Sequence, residues 1–214
     1  MSRLRVAGTA AAVVVPPAWN NWVLPRLGLG IRGRTAANTG FATGYALAMH
    51  GRPNWSAPRG VRYGLVSATV VAAGYAATLA IPSTRHRLGE FADRSPEVSA
   101  AEWVAVHIPI GTVYSEELVF RATLDPLLDK VFGTRIGALL GALTFGLWHI
   151  APARAAGDSV PATIAVTSVG GFVFGWLRRR AESAAAPAFL HLAVNVGGAV
   201  ASRLGRRLGW FRSG

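Results

Sequence analysis

Cysteine is absent from the 214 residues, so disulfides, Cys-ligated zinc, iron–sulfur clusters and thiol nucleophiles are all excluded. Lysine is nearly absent as well, because 21 of the 22 basic residues are arginine. Acidic residues number only 10, and charged residues make up 15% of the chain against 51% hydrophobic. A disordered or collagen-like chain does not have that composition, and an ordinary soluble domain of this length carries more charge. The chain therefore reads as an integral membrane protein. Its formal charge is +12, yet the arginines stand in short clusters between apolar runs and not along one face. Such clusters suit loops that meet anionic lipid head groups, so the expected partner is the bilayer and not nucleic acid.

A hydrocarbon core about 30 Å thick is crossed by roughly 20 helical residues, with roughly 17 to 25 tolerated. Seven apolar runs approach that length: Val6 to Leu24, Thr35 to Met49, Tyr63 to Ile81, Ala100 to Tyr114 and onward, Ile136 to Ile150, Ala162 to Leu177, and Ala184 to Ala201. The second and fifth are short, and the first holds Pro16, Pro17, Asn20 and Asn21. The expected architecture is an all-α, polytopic transmembrane helix bundle of about seven helices, with six to eight allowed. No small-x-small cleavage site follows the first run, which is read as an uncleaved helix. Pro82 to Val98 is the longest polar stretch and is expected to be a solvated loop or a short surface helix. With seven spans the basic residues divide 11 and 11 between the two sides, so charge gives no orientation. The pairs Gly40/Gly44, Gly137/Gly141 and Gly171/Gly175 put small residues four apart on one helix face and are read as close helix packing.

An ionisable side chain at membrane depth costs roughly 2.5 to 3.5 kcal/mol on insertion scales and marks a candidate site. Three clusters qualify: Ser115 to Arg121 ending the fourth run, Phe145 to His149 closing the fifth, and His191 to Asn195 inside the seventh. Glu117 and Arg121 are four apart, with the acid on the N-terminal side, so they pair on one helix face and neutralise each other. Glu116 points elsewhere and has no local partner, which leaves it free to take a proton from water. His191 and Asn195 share a face and present an imidazole and an amide to one point, as an oxyanion hole or water clamp requires. Phe145 shares a face with His149 and is placed to wall the same cavity. His107 is read as structural, and His50 and His86 as solvated.

Other hydrolytic chemistries lack their residues. No His precedes a Glu, so the His-Glu-x-x-His zinc motif is missing. Asp93, Asp125, Asp129 and Asp158 are read as loop residues, which removes a membrane aspartyl pair. Gly157-Asp158-Ser159-Val160 lacks the second glycine of a serine elbow. Two schemes remain open. In one, zinc is held by Glu116, His149 and His191 with a water in the fourth position. In the other no metal is needed: Glu116 and His149 act on a water, and His191 with Asn195 acts on the carbonyl oxygen.

In this order and spacing the three clusters resemble the motifs of the CAAX protease and bacteriocin-processing family, also called CPBP or Abi, of intramembrane endopeptidases. The family motifs Glu-Glu-x-x-x-Arg, Phe-x-x-x-His and His-x-x-x-Asn are matched by Glu116-Glu117-Leu-Val-Phe-Arg121, Phe145-Gly-Leu-Trp-His149 and His191-Leu-Ala-Val-Asn195. The likeness runs from about Ala100 to Ala201, so the chain divides into residues 1–98, N-terminal transmembrane helices and a polar loop, and residues 99–214, a catalytic membrane core. The resemblance implies that Glu116 and His149 activate water, that His191 and Asn195 stabilise the oxyanion, and that Arg121 holds Glu117 and the helix end. It implies a peptide or protein substrate met in or at the membrane. Eukaryotic members trim prenylated CAAX tails, whereas most bacterial relatives act in peptide processing, immunity or regulation. The Arg-to-Lys ratio of 21 to 1 fits a GC-rich bacterial genome and hence a plasma-membrane location, so the prenyl substrate is not carried over. The rival reading is a non-catalytic scaffold, immunity factor or transporter. It gives no reason to hold Glu116, His149, His191 and Asn195 together at an insertion cost.

Overall fold

The structure, a computed structural model, describes residues 3–90 and 97–210, and every regular element among them is a helix. Helix α1 (Arg3–Ala18) contains Pro16 and Pro17, which lack the N–H groups that an α-helix interior needs. The chain then widens into the π-helical turn Trp19–Val23 and ends with Leu24–Arg26. Helix α2 (Ile31–Ala48) follows, then α3 (Pro58–Ala80), α4 (Pro82–Glu90) and α5 (Ala100–Glu102), which continues as the π-helical stretches Trp103–Tyr114 and Glu117–Leu124. Helices α6 (Asp125–Trp148), α7 (Ile150–Ala156), α8 (Val160–Ala181) and α9 (Ala185–Trp210) complete the bundle.

Each of the seven apolar runs lies in a helix of this all-α bundle. Among the described residues α3, the stretch Ala100–Ala156, α8 and Ala185–Leu208 of α9 are long and apolar enough to cross a membrane. On α3 the side chains of Leu65, Val66 and Val70 are 52%, 62% and 67% exposed. An apolar face this bare has no place in water, whereas a bilayer covers it at no cost. The protein is an integral membrane protein.

One backbone feature brings the first two motifs together. Gly133 has φ 77° and ψ 161°, a conformation that a residue with a Cβ rarely adopts, and it breaks the continuous helix into two arms. The arms fold back on each other antiparallel. A Cβ on Gly137 would sit 2.8 Å from the backbone nitrogen of Asp129 and 2.9 Å from the carbonyl carbon of Leu128, so only glycine permits this approach. Further along, the rings of Phe120 and Phe145 meet edge to face at 5.0 Å, and Trp148 reaches Glu116. Helix α8 lies against the second arm, with Gly171 backed onto Phe145 and Ala142. Helix α9 runs beside α3 in the same direction, Phe189 filling the space over Gly64 and Tyr75 that over Gly197. The core is a box of Phe120, Leu124, Leu128, Phe145, Trp148 and Phe174.

Two sequence expectations need correction. Asp125 and Asp129 are helical residues and not loop residues; Asp125 is 2% exposed, and both face arginines. Among the described residues nothing packs over Gly40 or Gly44, so that pair is not a packing face within them, unlike Gly137/Gly141 and Gly171/Gly175. The polar stretch after Ile81 begins, as expected, as a short surface helix, α4, while Asp93 and Arg94 lie outside the described residues.

Candidate active site

Glu116 lies at the junction of the two π-helical stretches, where the wider turn admits an extra residue per repeat, a local form concentrated at functional sites. Its Oε1 accepts a 3.2 Å hydrogen bond from Trp148 Nε1. Its Oε2 is buried without a hydrogen-bond partner and faces two imidazoles, His149 Nε2 at 4.0 Å and His191 Nε2 at 3.9 Å. Both separations exceed a direct hydrogen bond and match a gap bridged by one water.

The far nitrogens of both rings are already engaged. His149 Nδ1 donates to the Phe145 carbonyl at 2.8 Å, and His191 Nδ1 donates to Glu117 Oε1 at 2.8 Å. These partners orient each ring and aim Nε2 at Glu116. Phe145 meets the His149 ring edge-on at 4.8 Å, and Phe174 stacks on His191 at 4.8 Å. Asn195 lines the same cavity, of about 700 Å³, one turn beyond His191.

Glu117 is fully buried and has two partners, His191 and Arg121, whose Nε lies 3.4 Å from Oε2. The pairing with Arg121 follows from sequence spacing. The shorter contact to His191 does not, because it joins residues 74 positions apart. Arg121 continues to Asp125 Oδ2 at 3.7 Å, and its guanidinium sits over the rings of Phe145, Phe174 and Phe120 at 4.6, 5.4 and 5.7 Å. Two carboxylates thus share one guanidinium in a dry core.

His107 is buried, its Nδ1 2.7 Å from Thr35 Oγ1 and its Nε2 3.1 Å from Glu102 Oε1, so both ring nitrogens are occupied. Sequence reasoning missed the cavity wall built by the first hundred residues, where Asn20, Leu24, Arg34, Thr35 and Asn38 face the site. The available signal was the Asn20-Asn21 pair inside an apolar run. At the rim Glu97 accepts from the Ile31 N–H at 3.1 Å and from Arg34 at 2.8 Å. The Ile31 N–H first, and Arg34 next, hold its carboxyl below the usual carboxylate range.

Among the described residues no three His, Asp or Glu side chains are grouped as a metal ion requires, and the separations of 3.9 and 4.0 Å across Glu116 Oε2 are wide for ligands of one zinc at about 2.0 to 2.2 Å each.

The model of the family Type II CAAX prenyl endopeptidase Rce1-like matches residues 98–197, the segment that carries all three motifs. Over that stretch the chain is similar to that family. The match agrees with the resemblance to the CAAX protease and bacteriocin-processing family drawn from the motifs. The match supports CAAX-type membrane endopeptidase activity in general terms, with a peptide or protein substrate in a lipid setting. No curated protein and no solved structure gives a significant match to the chain. The matched segment holds Glu116, Glu117, Arg121, Phe145, His149, His191 and Asn195, and residues 1–97 add the opposite cavity wall.

Proposed function

We propose that the protein is a glutamate-type intramembrane endopeptidase of a bacterial plasma membrane, acting in peptide processing or regulatory proteolysis, with residues 99–214 as its catalytic core. The observation that carries this reading is the approach of two imidazole Nε2 atoms, at 4.0 and 3.9 Å, to one unpartnered carboxylate oxygen of Glu116 inside the cavity.

A water held between Glu116 and His149 gives its proton to Glu116 as its oxygen attacks the scissile carbonyl carbon. The carbonyl π electrons move onto oxygen, and that oxyanion accepts from the Asn195 amide and from His191 Nε2–H, the ring being held at Nδ1 by Glu117. Collapse restores the carbonyl and breaks the C–N bond, and the proton on Glu116 passes to the leaving amine. Arg121 keeps Glu117 in place. No metal enters this scheme.

The test uses purified protein in liposomes and a set of quenched fluorescent peptides, with and without a prenylated C-terminal cysteine. Glu116→Gln and His149→Ala should fall to background, while Asn195→Ala keeps a remainder, because loss of one oxyanion donor costs about 10² to 10³ in rate. Metal chelators should leave the wild-type rate unchanged. Full cleavage by Glu116→Gln would remove Glu116 from the chemistry and with it this reading.

A further inference from the structure

The joint between α6 and α7 falls on His149, whose φ of −91° and ψ of 7° interrupt the helix. A helix break leaves carbonyls on one side and N–H groups on the other without intrahelical partners, and buried backbone groups of this kind must be satisfied from elsewhere. Here the partners come from the far N-terminal helix. Asn20 Nδ2 donates to the Trp148 carbonyl at 2.7 Å, and Asn21 Nδ2 donates to the Leu147 carbonyl at 2.8 Å. In the other direction Asn21 Oδ1 accepts from the Ala151 N–H at 2.7 Å. Asn21 thereby ties the end of one helix to the start of the next with both ends of a single amide.

Resting on the peptidase reading above, we infer that Asn20 and Asn21 are positioning residues for His149, so that the active site includes the π-helical turn Trp19–Val23 after α1, outside the matched segment. Three features favour this over simple docking of α1. The bonds go to the two peptide units before His149 and to the second one after it, which together fix its Cα. The side chain of Trp148, whose carbonyl Asn20 holds, is itself the donor to Glu116. The asparagines lie in the π-helical turn Trp19–Val23, where an extra residue per turn presents both amides to the same joint. His149 Nε2 stands 4.0 Å from Glu116 Oε2, a one-water gap that a shift of about 1 Å would close or empty, and displacements of that size cost about 10²-fold in rate.

The experiment compares Asn21→Leu, a near-isostere without hydrogen bonds, with Asn21→Asp, which keeps the acceptor for Ala151 and loses the donor to Leu147. Tyr45→Phe is the control, since it removes a 2.8 Å bond from α2 to the Ala12 carbonyl of α1 and weakens docking away from the cavity. Full-length proteins in liposomes are followed by backbone hydrogen exchange over residues 147–153, thermal unfolding, and separate kcat and KM on the best reporter peptide. Asn21→Leu should speed exchange at the joint by roughly tenfold and lower kcat by about 10- to 100-fold with KM within about twofold. Asn21→Asp should recover part of kcat, and Tyr45→Phe should lower Tm with kcat intact. Unchanged exchange at the joint, or faster exchange with kcat intact, overturns the inference, as does an equal kcat loss in Tyr45→Phe. Full cleavage by Glu116→Gln overturns the glutamate-type reading and leaves the asparagine comparison readable on the cleavage that remains. A wild type that cuts no peptide overturns both.

Discussion

Two arginine–carboxylate clusters have their acids on the same helical hairpin, and they are built in opposite ways. Near the Gly133 turn, Asp129 accepts from Arg179 Nε and NH2 at 3.0 and 2.8 Å and from an Arg178 nitrogen, with 16% to 18% of these side chains exposed. Near the cavity, Glu117, Arg121 and Asp125 stand 3.4 and 3.7 Å apart at 0% to 2% exposure, and all three guanidinium nitrogens of Arg121 lack hydrogen-bond partners. The first is a fastener: tight, two cations on one acid, able to relax into water. The second is loose and dry, held by aromatic faces rather than by its own geometry. A buried ion pair is weak evidence for stability, because desolvation offsets the attraction. Its position therefore speaks for function, since Glu117 has to keep one oxygen on His191.

The sharpest way to break this contrast is Arg121→Ala, which strands two buried carboxylates at a cost of about 3 to 5 kcal/mol. It should lower the Tm in detergent strongly and abolish cleavage together. A smaller loss should come from Gly137→Ala, whose methyl would press on the Asp129 backbone and pry the arms apart near the fastener, at about 1 to 3 kcal/mol. Denaturation in mixed micelles measures it, and the kcat of the folded fraction should hold. Arg179→Ala removes one of two cations from a partly solvated pair and should cost about 1 kcal/mol or less, with activity retained. If Arg179→Ala proves as damaging as Arg121→Ala, the two clusters do not differ as described.

The smallest effect belongs to Glu97 at the rim. Its carboxyl is held below the ordinary value of 4.5, so its contribution is complete above that value and disappears as pH falls through the lower folded-state pKa. Between pH 7 and 5 unfolding should show nothing from this group. Glu97→Gln should flatten a small acid-side loss in the unfolding curve below about pH 4.5, with the rest of the profile unchanged.

The helices and the candidate residues Glu116, His149 and His191 were legible in the sequence because both rest on local signals. Apolar length marks a span, and Glu116, His149 and His191 stand out as polar groups in apolar runs. Asp125 was misplaced because Pro126 beside it reads as a turn, whereas a proline in the first turn of a helix loses no hydrogen bond. Its burial depends on Arg121 and on the bare backbones of Gly141 and Gly175, which no short window contains. The contact of Glu117 with His191 and the grip of Asn20 and Asn21 on the α6 joint join residues far apart in the chain. Long-range partners of this kind leave only an unexplained polar residue as their trace.

The hairpin at Gly133 also acts as a length gauge. Glu116 faces Trp148, Phe120 faces Phe145 and Asp129 faces Gly137, so each step down one arm is matched by about one step up the other. Adding a single residue to one arm would turn everything beyond it by about 100° and carry the carboxylate or the imidazole off the shared face. Only matched changes, equal in both arms, keep the two halves of the site in step. The number of residues separating the first two motifs is for that reason as much a part of the chemistry as the motifs themselves.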